Sequence, residues 1–169
     1  MENNPIIDSL THIRCPKETK TLFGSIFTAH QLKKRQTFSI SPETIRPVFF
    51  LSKGLLTLIQ ENQILPNTLT KTIRFYQSGH FFAQPELKST EPFSYQLLAL
   101  ADSTLYQTTY SKIVALSQLD INISEIMLSI LDRWSHDSIK EIALLHQPAQ
   151  KRYEDFIKKV GLDHLLIPK

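Results

Sequence analysis

From residue 35 onward the sequence is a series of short runs that are rich in β-branched and aromatic residues. The runs are RQTFSI, VFFLSKGLLTLIQEN, TLTKTIRFY, SYQLLALA and STLYQTTY. Turn signals separate them, namely Ser-Pro, Lys-Gly, Leu-Pro-Asn, Ser-Gly and Ala-Asp steps. Several short strands at this spacing predict an antiparallel barrel or sandwich.

Helical patterns lie on both sides of this β-rich region. Before it, residues 17–30 place Leu22, Ile26 and Ala29 at helical spacing, which predicts a helix. After it, residues 111–118 have the pattern of a short helix. The predicted order is therefore helical segment, β-fold and further helices.

The end of the chain predicts one long helix and one short helix. Residues 119–147 have a continuous amphipathic pattern, interrupted only by the polar residues 135–138. Pro148 suits the first turn of a last helix over 148–160, and Gly161 suits its C-terminal cap.

The apolar residues of the long helix form a stripe that needs a partner. Its members are Ile123, Met127, Ile130, Trp134, Ile142 and Leu145. The simplest partner is a second copy of the same helix in a homodimer. Packing of Met127 and Trp134 against the chain's own β-fold is the alternative, and the two interpretations predict different oligomeric states.

Composition excludes several classes of protein. The chain has 41% hydrophobic residues and no apolar run long enough to cross a bilayer, so we expect no membrane partner. Its N-terminus, MENNPIIDSL, is unlike a signal peptide, and the single cysteine, Cys15, excludes an intrachain disulfide. These features are typical of a cytoplasmic protein.

The titratable residues do not form a recognisable site in the sequence. Basic residues occur in scattered groups, such as Lys33-Lys34-Arg35, and scattered charge is typical of a solvated surface. The histidines have no metal-ligand spacing, and no catalytic motif is present. We therefore expect no metal, no cofactor, no catalytic residue and no enzymatic activity. The histidines are His12, His30, His80, His136, His146 and His164.

Four segments, in this order and spacing, resemble the effector-binding half of the Crp/Fnr family of bacterial transcription regulators. They are FLSKGLLTLI, TIRFYQSGHFFAQPEL, FSYQLLALADSTLYQTTYSKI and KRYEDFIKK. The resemblance covers residues 20–169, and its details are similar to the Bacteroidetes-type branch. It implies an α+β fold: a cyclic-nucleotide-binding-domain-like antiparallel β-roll, which is a jelly roll or cupin-like double-stranded β-helix. N-terminal helices and a long C-terminal dimerisation helix would flank the roll.

The resemblance also implies a division of the chain. The expected parts are an N-terminal helical segment (1–30), a β-roll effector-binding-like domain (31–118), a long dimerisation helix (119–147) and a short helix (148–169). In the family that short helix leads to a helix-turn-helix domain. The sequence has no helix-turn-helix pattern, so we expect DNA binding only through a C-terminal domain outside this chain.

Family members that bind cyclic nucleotides have a Gly-x-x-x-Gly-Glu-Leu loop, and this chain keeps only part of it. The glycines let backbone amides converge on the phosphate, and the glutamate accepts from the ribose hydroxyl. Gly79 stands at the first glycine position. Ala83, Gln84 and Pro85 stand at the positions of the second glycine, the glutamate and the leucine.

An Arg-Ser/Thr-Ala step follows that loop in the family, and its arginine pairs with the phosphate. In this chain Phe93 stands at the arginine position, Ser94 keeps the hydroxyl and Tyr95 replaces the small residue. The resemblance therefore implies the position of a phosphate-binding loop without its charged groups, and we expect no binding of cyclic AMP or cyclic GMP.

Two interpretations of the altered loop stay open. It could line a pocket for a different, more apolar small-molecule effector, or its aromatic residues could fill the vacated space as core. Phe81 and Phe82 point to opposite faces if the chain is extended there, so at most one of them would line a cavity. The candidate pocket residues are Gly79, His80, Phe81, Phe82, Ala83, Gln84, Phe93, Ser94 and Tyr95.

Overall fold

The structure is a computed structural model that describes residues 4–39, 46–62, 71–83 and 93–160. Within these ranges the chain forms helices at both ends and strands between them. The elements are α1 (Pro5–Ser9), α2 (Lys17–Ser25), β1 (Thr28–Leu32), β2 (Thr37–Ser39), β3 (Pro47–Lys53), β4 (Leu55–Asn62), β5 (Lys71–Gln77), β6 (His80–Ala83), β7 (Phe93–Ala99), β8 (Ser103–Thr109), α3 (Tyr110–Ser117), α4 (Asn122–Leu145) and α5 (Ala149–Val160).

The strands form two four-stranded sheets in which the paired strands are antiparallel. One sheet has the order β1-β8-β3-β6, and the other has the order β2-β7-β4-β5. Successive strands alternate between the sheets in several places, so the chain winds around a shared interior. This confirms the predicted α+β class with an antiparallel β-roll.

The core lies between the two sheets. Strand β3 is buried from Pro47 to Leu51, because its inner face meets the core and its outer face is covered as well. The inner cluster takes alternate residues from both sheets, as the period of two in a strand requires. Its buried members are Leu32, Phe49, Leu51, Leu56, Leu58, Tyr76, Phe82, Leu97, Ala99 and Leu105.

The helix predicted over residues 17–30 is shorter than expected. α2 ends at Ser25, and Thr28–Leu32 form strand β1. Since β1 pairs along its whole length with β8, hydrogen bonds from a distant part of the chain override the local helical spacing. Within α2 the buried aromatic residue is Phe23, whereas the predicted Leu22 is exposed.

The C-terminal helices agree more closely with the sequence. α3 and α5 confirm the two short helices, and α4 lies inside the predicted range 119–147. The 24 residues of α4 extend about 36 Å. The chain divides into two compact units, Met1–Ile126 and Met127–Lys169, with the boundary inside α4. No helix in the described ranges is long and apolar enough to cross a membrane.

Asp120 joins the N-terminal helix α2 to the beginning of α4. Its Oδ2 accepts a 2.6 Å hydrogen bond from the buried Thr19 hydroxyl, and its Oδ1 accepts bonds from the backbone and side-chain amides of Asn122 at 3.0 and 2.9 Å. The Thr19 bond and the Asn122 backbone bond hold the pKa of Asp120 below its usual value.

We expect Asp120→Asn to lower stability in a pH-dependent way. A carboxylate whose pKa is depressed by folding stabilises the protein above its unfolded pKa of about 4 and loses that contribution as the pH falls through the folded value. Urea unfolding should therefore show the variant to be less stable than the wild type at pH 7. The gap between their free energies of unfolding should narrow below about pH 4. Asp132→Asn, an exposed carboxylate on α4, is the control. A gap that stays constant with pH would contradict this role.

Candidate functional site

The turn at Ser78-Gly79 occupies the place of the expected phosphate-binding loop. It carries the chain from β5 in one sheet to β6 in the other. Gly79 has a φ of 83°, which glycine adopts without strain. Its N–H donates a 2.7 Å hydrogen bond to the carbonyl of Leu51 on β3. Because that amide is already paired inside the fold, it is not free to bind an anion.

Residues 80–83 form a strand rather than a loop. β6 pairs with β3, so that Phe82 lies opposite Phe49 and Phe81 lies opposite Phe50. The extended chain therefore sends the two adjacent phenylalanines to opposite faces of the sheet, as the alternation predicted.

Phe82 points into the β-roll and completes a stack of aromatic rings. Its ring lies 3.8 Å from that of Tyr76, with an interplanar angle of 12°, and 5.2 Å from that of Phe49. Phe38 continues the series, with its ring 6.3 Å from that of Phe49. These distances lie in or below the usual range for favourable ring pairs, and Phe82 is only 6% exposed. This side chain is part of the core.

Phe81 packs on the outer face of the same sheet. Its ring centroid lies 4.6 Å from that of Phe50 and 6.3 and 6.2 Å from those of Phe23 and Phe27. These contacts attach the end of α2 to the sheet. Phe81 therefore does not line the interior of the roll.

The other described pocket candidates have local roles. Tyr95 packs against the core, and its hydroxyl accepts a 3.3 Å hydrogen bond from Gln60 Nε2. His80 is half-buried, with Nδ1 3.2 Å from the carbonyl oxygen of Ser78. Ala83 is exposed and lies opposite Val48. Of the nine candidates, the structure brings Phe82 and Tyr95 to the same core.

Three predicted pocket residues are described incompletely or lie outside the described ranges. Gln84 lies outside them. Phe93 and Ser94 belong to β7 through their backbones, opposite Asn62 and Glu61. Their roles in the site remain predictions from the sequence.

The predicted stripe on α4 is largely covered within the single chain. Ile123 and Ile130 are buried, and Met127 and Trp134 are half-buried. Ile142 is 57% exposed. The side chain of Leu145 lies outside the described part of the structure. The dimer role of these residues therefore remains a prediction, and Ile123 in particular has no free surface in this chain.

A second apolar stripe on α4 is exposed. Leu128, Leu131, Ile139 and Ile142 are 65%, 46%, 63% and 57% exposed. At about 100° per residue they fall within an arc of roughly 80° on the helix. These residues are apolar in the sequence, but α4 has apolar residues on two neighbouring faces. Helical periodicity alone does not show which of the two faces is buried in the chain.

Other candidate groups do not form a site in the described residues. No cluster of three or more histidine, cysteine or acidic side chains there could hold a metal ion. Cys15 is half-buried, and burial raises the pKa of its thiol, which lowers the reactive thiolate fraction at neutral pH.

Comparisons with known proteins place this geometry in a fold class. No protein-family model and no curated protein matches the sequence. Among solved structures, a cyclic nucleotide-binding domain from Methylobacillus flagellatus is similar, with a TM-score of 0.61 and 13% identity over 95% of this chain and 85% of that one. The sensor domain of the transcriptional regulator DNR from Pseudomonas aeruginosa has a TM-score of 0.52 and 14% identity over 81% and 87% of the two chains.

The Thermus thermophilus catabolite activator protein is similar as well. Its TM-score is 0.54 and its identity 18%, and the match covers 81% of this chain and 62% of the activator. The chain thus spans less than two thirds of that protein. Together these structures show that the chain has the fold of a Crp/Fnr-type cyclic-nucleotide-binding-like domain.

We expect Phe82→Ala to destabilise the fold by about 3–5 kcal/mol, because it removes the middle ring of a buried stack. A residue that only lined an open pocket would cost much less. Urea unfolding measures the change. The control is His80→Ala, in a half-buried position two residues away, which should change the free energy of unfolding by no more than about 0.5 kcal/mol. Equal losses for the two variants would contradict the assignment of Phe82 to the core.

Proposed function

We propose that this chain is the sensor and dimerisation domain of a Crp/Fnr-like transcription regulator and has no catalytic role. The fold supports the class of domain. The observation that carries the proposal is the exposed stripe Leu128–Leu131–Ile139–Ile142 on α4, which follows the β-roll after the short helix α3. DNA would be bound only through a C-terminal domain outside this chain.

The exposed stripe suits a second copy of the same helix. Burying a large aliphatic side chain is worth about 1.5–3 kcal/mol, so four exposed ones favour a partner strongly. In a two-fold dimer each stripe meets its own copy, and an arc of this width matches the seam between two paired helices. Ser135 lies in the same arc and would place a small polar residue in the middle of that seam.

We infer that the domain does not take cyclic nucleotides. The Gly79 amide is paired with Leu51, and the sequence places Phe93 and Gln84 where an arginine and a glutamate would hold the phosphate and the ribose. Losing one member of a partly buried ion pair costs about 3–5 kcal/mol, or roughly two to four decades in affinity.

The mechanism follows from two arrangements of the paired helices. An effector that binds the roll better in one arrangement would raise its population, and this would reposition whatever is joined to the C-terminal end of the helices. The size of the response would be limited by the difference between the effector's affinities for the two arrangements.

A second candidate is a ligand-free β-roll that acts only as a protein-interaction scaffold. The Tyr76–Phe82–Phe49 stack favours it, because these rings occupy the interior of the roll. The two candidates share the dimer and differ in whether any small molecule stabilises the domain.

We expect Leu128→Glu/Leu131→Glu to weaken self-association at least about a hundredfold, because each dimer would bury four carboxylates in the seam. Sedimentation velocity over a concentration series measures this. The control is Arg133→Glu/Lys140→Glu, which introduces the same two residues on the opposite, exposed face. A wild-type protein that is monomeric throughout, or a stripe variant that associates normally, would refute the dimer.

Thermal unfolding with added ligands tests the sensor. A ligand at a hundredfold excess over its dissociation constant adds about 2.7 kcal/mol, which for a chain of this size raises Tm by roughly 5–10 °C. We expect cyclic AMP and cyclic GMP to leave Tm unchanged, and a shift of that size with either would contradict the proposal. A metabolite panel then separates the candidates: a stabilising compound supports the sensor, and none supports the scaffold.

A further inference from the structure

Four basic residues, Lys33, Lys34, Arg35 and Lys53, come together at one end of the β-roll and are called here the basic end. Strands β1 and β3 flank β8, with Leu32 opposite Ser103 and Lys53 opposite Thr104. Lys33 and Lys53 therefore lie on either side of the start of β8, about two strand spacings or 10 Å apart along the sheet edge. Lys34 and Arg35 lie in the β1–β2 turn next to them.

The acidic residue Asp102 lies against this group. Its Oδ2 lies 3.6 Å from Lys33 Nζ, and its Oδ1 accepts a 2.8 Å hydrogen bond from the backbone N–H of Lys34. The side chains of Lys34, Arg35 and Lys53 are exposed, and the charge of Lys53 also acts on Asp102. Asp102 thus organises the turn, and one carboxylate among four cations leaves the group with an excess of positive charge.

The basic end accounts for the formal charge excess of the whole chain. Four basic residues less Asp102 give +3, which equals the formal net charge of the chain, so the remaining 15 basic and 15 acidic residues balance. The sequence spreads the basic residues widely, but only the pairing of β1 and β3 with β8 brings Lys53 to the Lys33–Arg35 turn.

The turns that carry these charges are held firmly. The Arg35 N–H donates to the Ala99 carbonyl at 2.7 Å, and the Ala99 N–H donates to the Gln36 carbonyl at 2.9 Å. Gly54 packs so tightly on Ser103 that an added Cβ would lie 2.1 Å from the serine Oγ. The charges therefore start from a pre-organised backbone, which reduces the ordering cost of binding.

Arg35 also occupies a backbone position that suits glycine better. Its φ is 71°, in the left-handed region that non-glycine residues rarely adopt. The residue lies in the β1–β2 turn, and its side chain is exposed.

We propose that the basic end docks an acidic segment of a partner protein. A small anion would meet cations that project into solvent, since the Lys33 side chain is 84% exposed. Binding of nucleic acid typically uses a longer row of basic residues than these three adjacent turns provide. Carboxylates on one face of an extended segment repeat about every 7 Å, so two of them span a patch of about 10 Å. This inference does not depend on the helix dimer or on any effector.

Fluorescence anisotropy with two labelled probes tests the docking. The probes are an oligoglutamate peptide of about eight residues and a mixed-sequence DNA duplex of about 20 base pairs. We expect the peptide to bind more tightly than the duplex, with an affinity that falls as salt rises. Lys34→Glu/Arg35→Glu should weaken peptide binding at least about tenfold. The control is Lys151→Glu/Arg152→Glu on α5, an exposed basic pair with the same change in charge. Its affinity for the peptide should stay within about twofold of the wild-type value.

A further variant, Arg35→Gly, guards against misfolding as an explanation. Glycine relaxes the left-handed φ, so Tm should be unchanged or higher while peptide binding falls about threefold. Equal losses in the α5 control would show non-specific attraction and overturn the proposal. Tighter binding of the duplex, or unchanged peptide binding in Lys34→Glu/Arg35→Glu, would overturn it as well.

Discussion

The pairing of β3 with β6 and β8 is the constraint on which the rest of the structure depends. From Pro47 to Leu51, β3 is covered on both faces: Phe49 belongs to the inner core and Phe50 to the outer cluster. Because β6 is in register with β3, Phe82 and Phe81 must join those two clusters in turn. In the same strand the Leu51 carbonyl accepts the Gly79 hydrogen bond. β3 also pairs with β8, and this pairing brings Lys53 to the basic end.

This constraint explains how the fold can form independently of any bound nucleotide. The β-roll needs the turn at Gly79 to pass from one sheet to the other, whether or not a phosphate is bound. Here the turn keeps its glycine, but its amide is bonded inside the fold and an aromatic stack occupies the interior. Fold and ligand are separable because the backbone geometry depends on sheet pairing, whereas affinity depends on a few charged side chains.

Several features of the fold could be predicted from residue patterns. Strands β3, β4 and β8 and helices α3 and α5 follow from runs of β-branched and aromatic residues and from helical periodicity. β1 was missed because its residues continue a helical spacing and become a strand only through pairing with β8. β6 was expected to be a loop because the resemblance placed its residues in the phosphate-binding loop. Of the exposed stripe, Ile142 was predicted, but Leu128, Leu131 and Ile139 were missed, because α4 has apolar residues on two faces and periodicity does not rank those faces.

By itself the sequence determined the α+β class and the succession of a helical segment, a β-rich region and further helices, because these depend on local propensity and on residue chemistry. Only the tertiary structure decided which side of the sheet each phenylalanine faces, which face of α4 remains exposed, and that Lys53 lies beside Lys33. Each of those depends on which distant strands pair and in what register, and hydrogen bonds between remote segments leave no periodic trace in either segment alone.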